Sequence, residues 1–239
     1  MAGPPAALRI VDAAKRRGAG GTGDFALLIP AFSVAPGEAI AVTGPSGAGK
    51  STLLDLLALA LKPDAVGQLE VAGHDAAVLW RKGRLDALAG LRAAHFGYVL
   101  QQGGLLPFLT VRQNIFLPQR LAGRPDPARI EALAAHLQIA DQLDKKPAAL
   151  SVGQRQRAAI ARALSHRPAI VLADEPTASV HPEMADTILA LLVETARESD
   201  AALVLATHDP ARAEAAGFSL LALATAREDG VAISVLDRP

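Results

Sequence analysis

The 239-residue chain predicts an α/β fold: a mostly parallel sheet with an inserted α-helical lobe. Three observations carry that expectation. Short apolar runs alternate with helical patterns along the chain, the arrangement of parallel strands joined by crossover helices. One strand-to-helix junction holds a glycine-rich loop that ends in Lys50-Ser51. The middle of the chain, from about Leu105 to Ala163, has helical periodicity and no convincing strand.

Taken in order, Leu8-Arg-Ile-Val11 and Phe25-Ala-Leu-Leu-Ile29 read as early strands, separated by a basic, glycine-rich turn over Lys15 to Gly23. Glu38-Ala-Ile-Ala-Val-Thr43 reads as a short buried strand, and Thr52 to Ala60 as an apolar helix. Pro127 to Leu137 and Gln154 to Leu164 carry helical spacing. Ala169 to Ala173 and Ala202 to Ala206 are compact apolar runs of the kind buried on both faces of a sheet. With 51% hydrophobic residues, the chain has enough apolar surface for a full core.

Twenty-four Lys and Arg balance 24 Asp and Glu, which argues against an extended electrostatic footprint for nucleic acid. There are no cysteines, so disulfides and thiolate metal sites are excluded. The N-terminus lacks the pattern of a secretory leader, and no uncharged apolar run is long enough to span a bilayer, the Gly217 to Ala226 stretch being only about ten residues. The expectation is a cytoplasmic chain that reaches a membrane only through a partner.

The loop Gly44-Pro-Ser-Gly-Ala-Gly-Lys-Ser-Thr52 fits G-x-x-x-x-G-K-[ST], with Gly44, Gly49, Lys50 and Ser51 in the required places. Glycines without Cβ let the loop that runs from Gly44 through Pro45, Ser46, Gly47, Ala48 and Gly49 to Thr52 close its backbone N–H groups (Pro45, which has none, excepted) around phosphate oxygens, and the helix N-terminus adds a favourable dipole. Lys50 is placed to reach the β- and γ-phosphates, and the Ser51 hydroxyl to help hold Mg²⁺. The loop therefore predicts nucleoside-triphosphate binding. A second motif, Val171-Leu-Ala-Asp-Glu175, ends an apolar strand in two carboxylates. Asp174 suits Mg²⁺ and Glu175 suits activation of a water molecule. Alone it would fit a solvated acidic turn; beside a phosphate loop it fits phosphate chemistry.

Leu150-Ser-Val-Gly-Gln-Arg-Gln-Arg-Ala-Ala-Ile-Ala-Arg-Ala-Leu164 resembles the signature segment of ABC-type ATPases, whose usual form is L-S-G-G-Q-R-Q-R. Gln101, in Gly97-Tyr-Val-Leu-Gln101, and His208, in Ala206-Thr-His-Asp209, follow the family's order, so the resemblance runs from the N-terminal strands to Asp209. The segment from Gln101 to Pro118 looks like the lipoprotein-releasing and macrolide-export branch.

The resemblance implies an α/β P-loop NTPase (RecA-like) core with a small antiparallel β part over about 1–100 and 165–239, with an inserted α-helical subdomain over about 101–164, the whole of 1–239 forming one ATP-binding domain. It also implies a head-to-tail homodimer that sandwiches two ATP molecules. Ser151, Gly153 and Gln154 of one subunit would complete the site built on the other's phosphate loop. Gln101 would sense the γ-phosphate and Mg²⁺, His208 would contact the γ-phosphate, and Glu175 with Lys50 would carry hydrolysis. The dimer would drive a separate integral membrane permease, met through the Gly103 to Phe116 stretch.

Three positions depart from the family pattern. Val152 replaces the first signature glycine, His181 stands where an aspartate is usual, and Arg17 takes the place of the aromatic residue that stacks on adenine. A guanidinium plane can also stack on a base. The sequence leaves open a non-transport relative acting on a membrane protein that controls cell-wall hydrolases or division. It also leaves open, more remotely, a phosphoryl transferase with no use for Ser151 or Gly153.

Overall fold

A computed structural model describes residues 6–18, 25–178, 180–228 and 231–238. In chain order the strands and helices are β1 (Leu8–Arg17), β2 (Phe25–Val34), β3 (Ala39–Thr43), α1 (Lys50–Leu57), β4 (Gln68–Val71), β5 (His74–Asp75), α2 (Ala76–Arg81), α3 (Leu85–His95) and β6 (Phe96–Val99). Then come α4 (Val111–Leu121), α5 (Pro127–His136), α6 (Val152–Leu164), β7 (Ile170–Asp174), α7 (Pro182–Glu198), β8 (Ala202–Thr207), α8 (Pro210–Ala215), β9 (Ser219–Ala222), β10 (Ala224–Glu228) and β11 (Val231–Asp237).

The strands form two sheets. One, in the order β10-β11-β2-β1-β4-β5, is antiparallel except where β11 runs parallel to β2. The other, β6-β7-β8-β3-β9, is parallel throughout. Alternation along its strands sends side chains into two cores. Ile40, Val42, Ile170, Leu172, Val204 and Ala206 join the core shared with α1 and the antiparallel sheet. Ala41, Val171, Ala173, Leu203 and Leu205 join the core shared with α4 to α7. Because both faces are covered, these strands read as continuous apolar runs, which is why Ala169–Ala173 and Ala202–Ala206 were legible.

Between β6 and β7 the described chain is helical, capped by local chemistry. Thr110 and Gln113 form a reciprocal capping box at the start of α4, and Ser151 and Gln154 form another at the start of α6. The buried Asn114 carboxamide binds the backbone of Leu106, Leu109 and Thr110, fixing the loop that enters α4. The C-terminal end of α6 lies so close to β6 that a Cβ at Gly97 would stand 2.1 Å from the Ala163 carbonyl oxygen.

One expectation is corrected. Lys15, Arg16 and Arg17, read as part of a turn, extend β1 and pair with Leu27, Ala26 and Phe25. The pairing holds because Asp64 binds the Lys15 ammonium and the Arg16 amide, stabilising a charged strand end that apolar patterning does not register. The rest of the glycine-rich turn, 19–23, lies outside the described residues, as does the start of the N-terminal segment. Among the described residues no helix is long and apolar enough to cross a membrane.

His166, just beyond α6, is 3% exposed, and its Nε2 meets the Phe96 carbonyl at 3.0 Å. Burial lowers its pKa to about 4, with small contributions from Arg124 and His95, while the Phe96 contact opposes the shift. The unfolded chain takes up this proton near pH 6.5 and the folded chain refuses it until about pH 4. Its contribution is therefore complete above pH 6.5 and is lost as pH falls toward 4. Between pH 7 and 5 the loss is about 2 kcal/mol. Urea unfolding at the two pH values should show a pH dependence smaller by about that amount in His166→Gln, and an unchanged dependence would contradict this account.

Candidate functional site

The parallel sheet sets the site. Its neighbouring strands β6, β7, β8 and β3 end together at their C-terminal edge, where open α/β sheets bind ligands. β3 runs into Gly44, β6 into Gln101, β7 into Asp174-Glu175, and β8 into His208. A cleft of about 550 Å³ opens there, lined by Ser46, Gly47, Gly49, Lys50, Ser51, Thr52, Gln101, Asp174 and Glu175, with Arg17 and Phe25 at its other side.

The phosphate loop turns into α1 at Gly49, whose φ of +91° lies in the left-handed region. A Cβ there would also stand 2.2 Å from Phe25 Cζ, so both the backbone and the packing require glycine. Lys50 is 6% exposed and donates to the Gly44 and Pro45 carbonyls at 2.9 and 3.1 Å. Ala48 is buried beneath the loop, Gly44 and Pro45 hold Lys50 through their carbonyls, and Ser46, Gly47 and Gly49 to Thr52 line the cleft.

Negative charge outweighs positive charge at the strand ends. The Ser51 hydroxyl donates to Asp174. Burial, followed by the nearby Glu175 and Asp55, raises the Asp174 pKa, while Ser51 and Lys50 lower it. Lys50 Nζ stands 3.8 Å from Glu175 Oε1. Tyr98 donates to Asp55 at 3.3 Å, and burial pushes its pKa up. With Glu175 and Asp55 both acting on Asp174 and Lys50 the nearby ammonium, the cluster favours the arrival of a further cation.

Glu175 is held unusually firmly. Its φ is +42°, a region that costs a residue with Cβ roughly 1–3 kcal/mol. Its amide donates to the Ala206 carbonyl at 2.9 Å, and its Oε2 meets His208 Nδ1 at 3.1 Å. His208 lies at the rim, in a smaller recess of about 170 Å³ that Glu175 shares with Thr207 and Asp209.

The structure brings Gly44 to Thr52, Gln101, Asp174, Glu175 and His208 to one edge. It does not bring Ser151, Gly153 or Gln154 there; none of these lines the cleft. Ser151 caps α6, accepting from the Gln154 amide at 3.2 Å, while Gln154 Oε1 accepts from the Ser151 amide at 2.9 Å. Val152, the first residue of α6, is 43% exposed. His181 occupies the N-cap of α7 without making a side-chain cap, so the acceptor an aspartate would provide there is lacking. Arg17 does line the cleft, but the aromatic ring on that side is Phe25, its cross-strand partner, which sequence reasoning passed over. Its place beside the phosphate loop comes from the strand pairing, and the sequence, which sets Phe25 well before Gly44, carries no signal for it.

A second cavity, about 420 Å³, lies between α3, α4 and α6, and its lining includes Ala89, Arg92, Leu106, Leu117, Leu121 and Arg162. Leu121 is 66% exposed, and Phe108 nearby along the chain is 68% exposed. The Gly103 to Phe116 stretch divides: Leu106 reaches this groove, whereas Val111 and Ile115 are buried in the core.

The model of the family described as ABC transporter matches residues 29–178. The lipoprotein-releasing system ATP-binding protein LolD 1 of Rhodospirillum rubrum is 40% identical over 182 residues, covering 75% of this chain and 78% of that protein. The macrolide export ATP-binding/permease protein MacB of Marinobacter nauticus is 40% identical over 178 residues, covering 73% of this chain but 27% of that longer protein. Among solved structures, the dimeric post-hydrolysis state of the ATP-binding cassette MJ0796 bound to ADP and Pi superposes with a TM-score of 0.78. It is 29% identical and covers 94% of this chain and 95% of its own.

Alanine at Gly49 would meet both the left-handed backbone and the Phe25 ring. A Gly49→Ala protein with unchanged far-ultraviolet circular dichroism should bind a fluorescent ATP analogue at least about tenfold more weakly. Equal affinity would show that the loop tolerates a Cβ there.

Proposed function

The chain belongs to the ABC transporter family as an ATP-hydrolysing cassette of the LolD and MacB type, and we propose that two copies close head to tail around two ATP molecules to drive a separate membrane permease. The observation that carries this reading is the split of the site residues. Lys50, Asp174, Glu175 and His208 gather at one sheet edge, while the capped start of α6 lies apart from their cleft. In this reading the start of α6 serves the partner's nucleotide, presenting the Gly153 amide and the Ser151 hydroxyl at a helix N-terminus. A two-fold arrangement then makes both sites alike.

In each site Glu175 accepts a proton from the attacking water, and its fixed backbone and the His208 contact hold the carboxylate in place. Lys50 exchanges its loop carbonyls for phosphate oxygens. The surplus of carboxylates around Ser51 and Asp174 fits Mg²⁺, which supplies charge neutralisation on the phosphate oxygens; Ser51, Asp174 and Gln101 are the residues to hold it. Arg17 and Phe25 provide the flat surface for the base.

In this reading the permease sits on the groove between α3, α4 and α6, and the subunit works at the membrane periphery through it. The groove's apolar lining and the exposed Leu121 support that assignment. Leu106→Asp should retain ATP hydrolysis by the isolated subunit and lose co-purification with the permease. Retained co-purification would sink the docking assignment.

Glu175→Gln should lower ATP turnover by about 10²–10⁴ while leaving ATP binding intact. Light scattering should then show a monomer that doubles in mass when ATP and Mg²⁺ are added. Near-normal turnover would remove Glu175 from its role, and ATP-bound protein at monomer mass would count against the sandwich.

A further inference from the structure

Far from the strand ends, three metal-ligating side chains converge on the outer surface. His136 is the last residue of α5, and Glu194 and Glu198 stand one turn apart near the end of α7. One ligating atom from each lies within 4.8 Å of the other two. His136 Nε2 stands 3.8 Å from Glu194 Oε2, too far for a hydrogen bond. That nitrogen is inaccessible and has no hydrogen-bond partner among the described residues.

The arrangement is unfavourable as it stands. Like charges four residues apart on a helix repel. Glu198 is also the final residue of α7, where the helix carbonyls already concentrate negative charge. Arg129 of α5 is near enough to Glu198 to feel its charge, but its guanidinium donates to Ser199 Oγ at 3.0 Å and forms no ion pair with either glutamate. A cation bound by all three groups would relieve the repulsion, the poor helix-end electrostatics and the orphaned nitrogen together.

We propose that His136, Glu194 and Glu198 bind a divalent transition metal, with Zn²⁺ as the best fit, that ties α5 to α7. One imidazole nitrogen and two carboxylates form a borderline donor set that suits Zn²⁺ and its neighbours. Metal–ligand bonds of about 2.1 Å in tetrahedral geometry put ligand atoms about 3.4 Å apart, so rotation of the exposed carboxylates closes the site. Mg²⁺ favours oxygen ligands in octahedral geometry and is a poor match. The metal restrains the helical segment between β6 and β7, which contains α5, against α7, the helix whose N-cap is His181.

The test uses the full chain without nucleotide, dialysed against Zn²⁺ or Mg²⁺, with metal analysis and thermal melts. Wild-type protein should retain one Zn²⁺ per chain, and at a hundredfold excess over Kd its Tm should rise by roughly 5–10 °C. Mg²⁺ alone should produce no shift that depends on His136. His136→Gln and Glu194→Gln should each weaken Zn²⁺ binding at least about tenfold while melting like wild type in chelator. His74 and His95, whose rings lie 5.4 Å apart, form the competing imidazole pair, so His74→Gln/His95→Gln should bind Zn²⁺ normally. Absence of stoichiometric Zn²⁺ overturns the proposal. So does Zn²⁺ that survives His136→Gln but is lost in His74→Gln/His95→Gln, or in Asp174→Asn at the nucleotide cleft.

Discussion

Burial of the parallel sheet on both faces is the constraint on which the rest of this molecule depends. Along β3, β7 and β8, side chains enter one core or the other, and unpaired polar groups there would carry heavy desolvation costs. Chemistry can therefore stand only where these strands end. Four neighbouring strands end on the same side, so residues separated by more than a hundred positions, such as Lys50 and Glu175, come within 3.8 Å. The antiparallel sheet and the helices serve this arrangement by covering the two faces.

At that edge the electrostatics are deliberately unbalanced. Asp174 resists ionisation because it is buried and faces Glu175 and Asp55, and Lys50 only partly compensates. A site built that way binds a cation together with an anionic phosphate chain more readily than either alone, since each offsets the charge of the other. Glu175 is secured by different means: a strained backbone, one amide contact across to β8, and His208. Strain of this kind persists only where the surroundings over-determine it, and here two adjacent strands do so.

The legibility of the sequence followed the same physics. Buried parallel strands and the phosphate loop were readable because both depend on residue type at fixed spacing. The helical middle was readable from periodicity, whereas the capping boxes that start two of its helices, Thr110 with Gln113 and Ser151 with Gln154, were recognised only in the structure. The charged end of β1 was not, because its pairing rests on Asp64, nearly fifty residues away. Phe25 was missed as a lining residue because it was read only as the start of a strand. The groove was half legible: Leu106 falls within the expected stretch, but Ala89, Arg92 and Leu121 arrive from elements on either side.

The two signature positions differ in what the fold asks of them. Val152 is exposed at the first position of α6, where a branched side chain meets little resistance from the chain itself. Gly153 is buried, yet its backbone is outside the left-handed region, and the atom a Cβ would strike is Met184 Sδ on a flexible side chain. Met184 could move aside. Glycine in the first turn forfeits up to about 1 kcal/mol of helix stability relative to alanine. Among the described residues nothing requires that loss, in contrast to Gly49, where φ demands it. In the proposed head-to-tail arrangement the reason for Gly153 lies outside the chain, in a group that approaches the start of α6 more closely than a methyl group allows. A phosphate held by a second copy satisfies that requirement, so the glycine is intelligible as half of a site that one chain cannot complete.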